Sequence, residues 1–422
     1  MRYSGVPKKE LKKAEISLCV MLFWIFMLSA SQAVAQSGEE MVKKLAGMGF
    51  ENVGFTEDEG ERVYVLQNST WRLQGVGISK AVDAIQQEGL PKGKNCRIIV
   101  LENNVPQISL SYTPLTANPT DSAATARRQD WEVSYELDGA WKKVRKVAKT
   151  NSSLFKVDIV LYPRFMFQNY KLSKMYDIVL NLSPAIEVSL WKGMKFTGQV
   201  IFPVVNDNYG RLYNDIRPGY VTLSQSIRLP GRIFLKGIAG IYEDQRAGFE
   251  LQAKYVLPDE HFWLTARLGY TCRGYWENWA YSHGKQWATN GHVGIHYYWT
   301  KYNTQFSLKG ERFLASDHAI GVEMYRHFRY SSIGFYAVKV MDKKDAANQG
   351  LNGGFAFQIA LPPYKQKRKG YIPRVVGGEF GIRYNAGNDS RYGQRYRTSP
   401  DDNFLKENSL NSYFIKSELL NF

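Results

Sequence analysis

The sequence predicts a mainly β protein: a transmembrane antiparallel β-barrel of about 14 strands, with 12 as the alternative, preceded by a small periplasmic α/β domain. Three observations lead to this fold class. The chain begins with an export leader, it lacks any later apolar run long enough for a membrane helix, and most of it alternates apolar with polar residues. Its 27 Tyr, 22 Phe and 10 Trp are typical of strands with interfacial aromatic girdles. Composition alone leaves a large soluble β-sandwich open.

The amino terminus has the three parts of a secretory signal peptide. A basic stretch precedes the apolar run Val20–Ala30, and Ala33, Val34 and Ala35 follow with small residues at both specificity positions. Eleven apolar residues span roughly 16 Å as a helix, about half the thickness of the hydrocarbon layer. We therefore expect residues 1–35 to be a signal peptide cleaved after Ala35, not a membrane anchor.

Residues 36–112 predict a compact periplasmic α/β domain. Apolar residues recur at helical spacing in two segments and form short β-type runs in three others. The helices are expected at Glu39–Met48 and Ile78–Glu88, and the strands at Glu61–Gln67, Cys96–Leu101 and Gln107–Tyr112. Residues 113–152 predict a linker, with a possible strand at Asp130–Leu137.

From about Ser153 the pattern changes to long alternating segments. In one of them Leu264, Ala266, Leu268 and Tyr270 alternate with polar or small residues, which gives the strand one apolar and one polar face. Such segments approach the ~9–11 residues that a tilted strand needs to cross a bilayer. We therefore expect residues 153–422 to form the barrel, ending in a strand at 411–421. Aromatic residues at the segment ends predict interfacial belts, namely Trp191, Tyr220, Phe262, Trp263, Tyr298, Trp299 and Tyr330.

The connections between these segments fall into two length classes. Short turns face the periplasm and long loops face outward in bacterial barrels. Short connections are expected near Trp191–Gly193, Leu229–Arg232, Pro258–His261, Thr300–Asn303 and Arg329–Ser332. Long ones are expected near Asn206–Arg217, Tyr275–Gln286, Asp342–Gly350 and Asn385–Ser409.

The charge balance favours anionic partners. The net charge is +16, of which residues 1–35 contribute +3, so the exported chain carries about +13. Outer-membrane lipid or lipopolysaccharide and acidic polysaccharide fit this balance. No nucleic-acid-binding motif accompanies the charge, so no nucleic-acid partner is expected. Cys96 and Cys272 are widely separated and are expected to be unpaired.

Motifs of catalysis are missing from the sequence: it holds no nucleophile elbow, no paired-histidine zinc motif and no phosphate-binding loop. We expect no enzyme activity, and no catalytic, cofactor-binding or metal-binding residues. His292 and His296 share a strand face but lie about 13 Å apart along it, too far for one metal ion, and are expected to fill the lumen.

Two sets of residues are candidates for contact with a passing solute. The polar set is expected to face the lumen, either as a charged stripe or as internal salt bridges, and comprises Glu250, Lys254, Arg267, Arg273, Lys309 and Glu311. The aromatic set lies in a long loop and either stacks on sugar rings or anchors the interface. It comprises Trp276, Trp279 and Tyr281.

Several ordered segments resemble one family. They are Asp177–Tyr209, Arg217–Pro230, Gly237–Glu250, Gly291–Trp299, Lys309–Ala315, Ala319–Phe335 and Gly354–Pro362. They look like the YjbH/GfcD-type outer-membrane proteins of exopolysaccharide biosynthesis. The resemblance implies a periplasmic α/β portion ahead of the barrel, a part in secreting or assembling exopolysaccharide or capsule, and periplasmic or lipoprotein partners of an export machinery. The longer members carry additional domains, whereas this chain has room for one barrel.

The expected function is therefore non-enzymatic export or surface assembly of exopolysaccharide, from the outer membrane of a Gram-negative bacterium. A general porin or solute channel is the alternative. An outer-membrane lipase or protease and a soluble β-sandwich are further rivals.

Overall fold

The computed structural model describes residues 38–114, 127–168, 177–207, 210, 214–242, 245–277, 279–341, 351–366, 374–375, 379–383 and 395–421. The predicted signal peptide lies outside these ranges. Among the described residues, none of the helices combines the length and the apolar character needed to cross a membrane.

An α/β unit occupies the first part of the chain. Its sheet has the order β1-β2-β3-β4-β5, and only β2 and β3 run parallel. The strands are β1 (Glu51–Glu57), β2 (Glu61–Gln67), β3 (Asn95–Glu102), β4 (Val105–Tyr112) and β5 (Trp131–Ser134). The helices are α1 (residues 38–48), α2 (Gln74–Glu88) and α3 (Ala140–Val144). Helix α2 is the crossover between the two parallel strands, which cannot be joined by a tight turn.

The two faces of this small sheet bury different helices. Tyr64 and Leu66 of β2 point to the face that packs against α1 and α2, because alternate strand residues share a side. Val63 and Val65 point to the other face, where they pack against α3. The unit therefore has apolar residues on both sheet faces and two apolar clusters.

The sequence predicted β2, β3, β4 and both long helices correctly. Strand β5 falls within the possible strand predicted at Asp130–Leu137, and its pairing with β4 adds this part of the predicted linker to the sheet. Thr150 pairs with Val53 of β1, so the unit continues past residue 144. Strand β1 was not predicted, because its polar sequence carries a weak β pattern.

The second sheet contains twelve consecutive antiparallel strands, each paired with its neighbours in sequence. They are β6 (Val157–Gln168), β7 (Asp177–Trp191), β8 (Met194–Asn206), β9 (Arg217–Leu229), β10 (Ile233–Tyr242), β11 (Arg246–Val256), β12 (Phe262–Glu277), β13 (Ala280–Trp299), β14 (Thr304–Arg312), β15 (His318–His327), β16 (Ser331–Val340) and β17 (Leu351–Ala360). Two short strands flank them: β18 (Arg374–Val375) runs parallel to β6, and β19 (Glu379–Arg383) runs antiparallel to β17. The mainly β class with a small α/β unit is confirmed.

The large sheet buries its polar face and exposes its apolar face. In β14, Ser307, Lys309 and Glu311 are buried, whereas Phe306 and Leu308 between them are exposed. Most of β11, β12 and β15 follows the same rule, so the alternation that the sequence shows is inverted there relative to a water-soluble sheet. Strand β16 departs from it, because Tyr336 and Val338 are buried in an apolar cluster.

A glycine pair lets the backbone of β10 and β11 lie unusually close to the neighbouring strands. Gly240 and Gly248 face each other across β10 and β11, with φ angles of 146° and 148°. A Cβ on Gly240 would lie 2.2 Å from the carbonyl oxygen of Val221, and one on Gly248 would lie 2.3 Å from that of Tyr270. Glycine is required at both positions because no other residue fits that close approach.

The predicted short connections are confirmed, and some of the predicted long ones are not. The segment predicted as a loop at Tyr275–Gln286 is mostly strand, because β12 and β13 remain paired as far as Glu277 and Ala280. Asp342 at the start of another predicted loop, and the rest of that loop, lie outside the described residues.

The predicted final strand at 411–421 is also wrong. Helices α4 (Phe404–Asn408) and α5 (Ser412–Leu420) occupy this region, and Asn411 caps α5 by accepting from the backbone N–H groups of Tyr413 and Phe414. Apolar residues at odd positions suggested alternation, but Ile415 and Leu419 are also four apart and share one helix face.

Only some of the aromatic residues predicted at the strand ends are exposed. Trp191 and Trp299 are exposed at the ends of β7 and β13, and Tyr330 is exposed in the turn before β16. Tyr220, Trp263 and Tyr298 are instead buried on the polar face, a consequence of the strict alternation along β9, β12 and β13.

Candidate functional site

The C-terminal segment, residues 395–421, first runs along the buried polar face of the large sheet. Tyr396 stacks on Tyr242 of β10, with ring centroids 5.3 Å apart. The guanidinium of Arg395 pairs with Glu311 of β14 at 2.6 Å. Contacts with strands so far apart in the sheet order require the segment to cross the polar face.

Arg267 of β12 is the central contact on that face. Its Nε pairs with Glu250 at 2.8 Å, and its Nη2 donates to the backbone carbonyl of Tyr396 at 3.2 Å. Asp402 lies 3.5 Å from its Nη1. One guanidinium thus contacts the carboxylate of Glu250 on a neighbouring strand and both Tyr396 and Asp402 of the C-terminal segment. The planar guanidinium can do so because it holds five N–H donors in a fixed arrangement.

Helix α5 then connects the large sheet to the α/β unit. The ring of Tyr413 stacks on His261, in the turn between β11 and β12, at 4.3 Å. Asn303, in the turn between β13 and β14, donates to Ser417 at 2.7 Å. On its other side α5 packs against α2 and β5, and Lys416 donates to the carbonyl of Gln129 at 2.8 Å.

The α/β unit also contacts the short-turn end of the large sheet directly. Arg228 of β9 donates to the carbonyl of Gln107 at 2.7 Å. Glu260, between β11 and β12, accepts from the backbone N–H of Tyr135 at 2.8 Å. The N–H of Gly193, between β7 and β8, donates to the carbonyl of Asn103 at 2.9 Å. These contacts are mostly to backbone groups, so they position the unit on the turns.

A polar cavity of about 480 Å³ lies where these three parts of the chain meet. Its walls come from the loop after β2 with the turn between β3 and β4, from the buried face of β6 to β11, and from the C-terminal segment. The residues that carry its charges are Arg72, Glu102, Asp158, Glu187, Lys195, Lys236, Asp401, Asp402, Lys406 and Glu407.

Ion pairs organise part of the cavity wall. Lys195 pairs with Glu187 at 3.1 Å, and Tyr162 donates to the other oxygen of that carboxylate at 2.5 Å. Lys406 of α4 pairs with Glu102 of β3. The second pair joins the C-terminal segment to the α/β unit, so it connects two separate elements at the cavity.

Four of the six predicted lumen residues lie on the buried face and form internal salt bridges. Glu250 pairs with Arg267, Glu311 pairs with Arg395, and Lys309 pairs with Glu323 at 2.8 Å.

The other two differ from these four. Lys254 lies over the ring of Trp263 at 5.5 Å and contacts the hydroxyl of Tyr135. Arg273 is exposed, just where the pairing of β12 with β13 shifts register, and it does not take part in the cavity.

The predicted aromatic residues lie at the tip of the β12–β13 hairpin, away from the α/β unit. The rings of Trp276 and Tyr281 are 5.1 Å apart, and Trp279 at the turn is 58% exposed. None of the three lines the polar cavity.

The predicted filling role of the histidines agrees with the contacts of His296. Its ring nitrogens lie 2.8 Å from the hydroxyls of Thr265 and Ser307, and its ring stacks on Trp263. In the described ranges, three or more potential ligands never cluster as a metal site would require.

Sequence reasoning missed the role of the C-terminal segment. The only local signal was Pro400 followed by Asp401 and Asp402, a polar run that is unsuited to a lipid-crossing strand. Partners of these carboxylates lie on distant strands, so the sequence alone did not show what they would meet.

Comparison with protein-family models and with curated proteins finds no match to this chain.

The Glu102–Lys406 pair makes the docking of α4 dependent on pH. Burial alone would raise the pKa of the Glu102 carboxyl, but Lys406 outweighs it and holds that pKa below the ordinary 4.5. Burial opposes the charge on Lys406, but Glu102 and Asp401 raise its pKa above the ordinary 10.5. The stabilisation by Glu102 is therefore lost as pH falls below 4.5, and that by Lys406 as pH rises above 10.5.

We expect backbone amides of residues 404–410 to exchange hydrogen slowest, relative to the intrinsic rate, between about pH 5 and 10. Glu102→Gln speeds this exchange at pH 7 and removes the acid step. Glu88→Gln is the control, because its pair with Lys44 is on the surface of the α/β unit. Equal protection at pH 4 and pH 7 in the unaltered protein would contradict this role for the pair.

Proposed function

We propose that this chain is an outer-membrane β-barrel protein of a Gram-negative bacterium, with its α/β unit on the periplasmic side. The observation that carries the proposal is the inverted sheet, with polar residues buried and apolar residues exposed. Leu308 is 49% exposed and lies between the buried Ser307 and Lys309, and Leu268 is 60% exposed and is followed by the buried Gly269. Lipid is the solvent in which such a surface is stable.

The thickness of the exposed apolar band supports this environment. Trp287 and Trp299 are exposed on the same side of β13, and the outward residues between them carry no charge. Twelve residues of strand cover about 40 Å, which a tilt of roughly 40° reduces to about 30 Å, the hydrocarbon thickness. The two tryptophans would then lie in the two interfaces.

Closure of the sheet into a barrel is supported by the chain between β18 and β19. Val375 pairs with β6 at one edge, and Glu379 pairs with β17 at the other. Four residues of chain reach at most about 15 Å, so the two edges approach each other. Closure would also satisfy the edge groups that lipid cannot.

Within this barrel, we propose, the protein serves export or surface assembly of exopolysaccharide and has no enzyme activity. The resemblance to YjbH/GfcD-type proteins supports the substrate class, and the lipopolysaccharide of the outer leaflet is the expected lipid contact. The docked α/β unit at the short-turn end supports a role in contacting periplasmic or lipoprotein components of the machinery.

A general porin is the weaker proposal, because the C-terminal segment crosses the polar face that would line its channel. Arg395, Tyr396 and Asp402 hold that segment on three different strands. Such a barrel is occupied along part of its interior.

Replacing an exposed leucine of the large sheet by a charged residue should destabilise the protein if that leucine faces lipid. We expect Leu268→Arg to lower the free energy of unfolding from lipid vesicles by about 2–4 kcal/mol, because the guanidinium enters the hydrocarbon layer. Trp279→Arg is the matched control, since Trp279 is equally exposed but lies at the hairpin tip. Denaturant titration in vesicles measures both, and equal effects would contradict a lipid-facing Leu268.

Loss of the gene should reduce the amount of polysaccharide at the cell surface. The unaltered gene should restore it, and the Leu268→Arg gene should restore less because its product assembles poorly. Quantitative sugar analysis of surface material is the measurement. If the amount and the composition of the surface polysaccharide are unchanged after deletion, the export proposal is contradicted.

Conductance should distinguish an occupied barrel from a porin. We expect the purified protein to give little steady current in planar bilayers. Removing two anchors with Arg395→Ala and Tyr396→Ala together should increase it, whereas Tyr281→Ala at the hairpin tip should not. Steady current through the unaltered protein would favour the porin.

A further inference from the structure

The polar cavity contains a lysine that carboxylates attract from a distance but that makes no direct contact with one among the described residues. Lys236 of β10 lines the cavity, and no hydrogen bond or ion pair joins its ammonium group to any residue that the structure describes. Lys195 and Lys406, the other cavity lysines, each have a carboxylate partner. An ammonium group inside a protein is costly to leave without an acceptor, so Lys236 is available to a ligand or to water.

Asp401 supplies an acceptor in the same cavity. Its carboxylate accepts from the hydroxyl of Ser399 at 2.8 Å, which uses one of its two oxygens. No ion pair joins Asp401 to Lys236, although both line the cavity. Lys236 therefore offers a donor, and Asp401 a second carboxylate oxygen, to a group bound in the cavity.

Uncharged polar side chains make up much of the rest of the wall, and most of them already hydrogen bond within the protein. They are Gln67, Asn68 and Gln107 of the α/β unit, Ser224, Ser226 and Gln252 of the large sheet, and Ser399 of the C-terminal segment. The ring of Trp71 packs against that of Phe50, with centroids 5.0 Å apart, and little of it is exposed. The charged and polar groups of the wall are suited to binding hydroxyl groups.

The charge of the cavity differs in sign from that of the whole chain. Four cationic residues line it, Arg72, Lys195, Lys236 and Lys406, against six carboxylates, so its formal charge is −2. The chain as a whole carries +16. An acidic ligand attracted by the chain would thus be disfavoured in this cavity.

We propose that the cavity is a binding site for an uncharged oligosaccharide. Lys236 donates to a sugar oxygen, and Asp401 accepts from a sugar hydroxyl. The volume of about 480 Å³ lies in the range of roughly 300–1,000 Å³ that small-ligand sites occupy. The inference rests on the proposed export function and names the part of the chain that contacts the glycan: a cavity shared by the sheet, the α/β unit and the C-terminal segment.

The test is calorimetric titration of the full-length protein in detergent with three hexasaccharides. Maltohexaose is neutral, hexagalacturonate is acidic and chitosan hexamer is cationic. We expect saturable binding of maltohexaose and at least tenfold weaker binding of hexagalacturonate. Lys236→Met should weaken binding of maltohexaose about tenfold or more, the loss of one hydrogen bond to a charged group. Asp401→Asn should weaken it less, because the amide oxygen still accepts.

Lys285→Met is the matched control, since Lys285 is also an unpaired strand lysine but lies on the exposed β12–β13 hairpin. Heat-modifiable gel mobility shows that each variant is folded. Failure of maltohexaose to bind, binding of the acidic or the cationic sugar at least as tight as that of maltohexaose, or equal binding by Lys236→Met would overturn the site. Each of these outcomes leaves the effect of gene deletion unchanged, so failure of the site is distinguishable from failure of the export proposal.

Discussion

The structure depends on one constraint: the large sheet buries its polar face and exposes its apolar face. In water this arrangement would expose dozens of large apolar side chains and bury charges, both at high cost. The buried charges persist because they are paired. Arg267 with Glu250 and Lys309 with Glu323 show how charges on neighbouring strands satisfy each other. In the proposed barrel, lipid covers the apolar face and completes the balance.

The C-terminal segment follows from the same constraint. A buried polar face needs polar partners, and residues 395–403 supply a guanidinium, carboxylates and a tyrosine ring to it. Gly269 leaves room for this ring, since a Cβ there would lie 2.1 Å from the Tyr396 hydroxyl. The segment then leaves the polar face, and α5 packs between the short turns and the α/β unit. One stretch of chain thereby connects the polar face of the large sheet to the α/β unit.

The shape of the cavity depends on this connection. Its walls belong to three parts of the chain, so movement of any one of them would change its shape. The Lys406–Glu102 pair lies between two of these parts, and Lys195–Glu187 holds the sheet side. The site we propose for an uncharged oligosaccharide is therefore coupled to the position of the α/β unit and to that of the C-terminal segment.

The sequence by itself determined the secondary structure of most of the chain and the polarity of its strand faces. Alternation is a local property with a period of two residues, so β12 and β14 could be predicted, as could the short turns between strands and the strands β2 to β4. The polar residues Glu250, Arg267, Lys309 and Glu311 were selected by the same pattern. That pattern alone was enough to predict that these four residues lie on the polar face of the sheet.

Only the tertiary structure decided what meets these faces. A spacing of four residues between Ile415 and Leu419 fits one face of a strand as well as one face of a helix. The segment is helical, and its apolar face packs against α2 and the short turns. The partners Arg395 and Glu311 are 84 residues apart, and no local pattern connects them. The cavity and its unpaired Lys236 likewise arise from contacts between distant segments, which depend on three-dimensional packing and leave no periodic trace in the sequence.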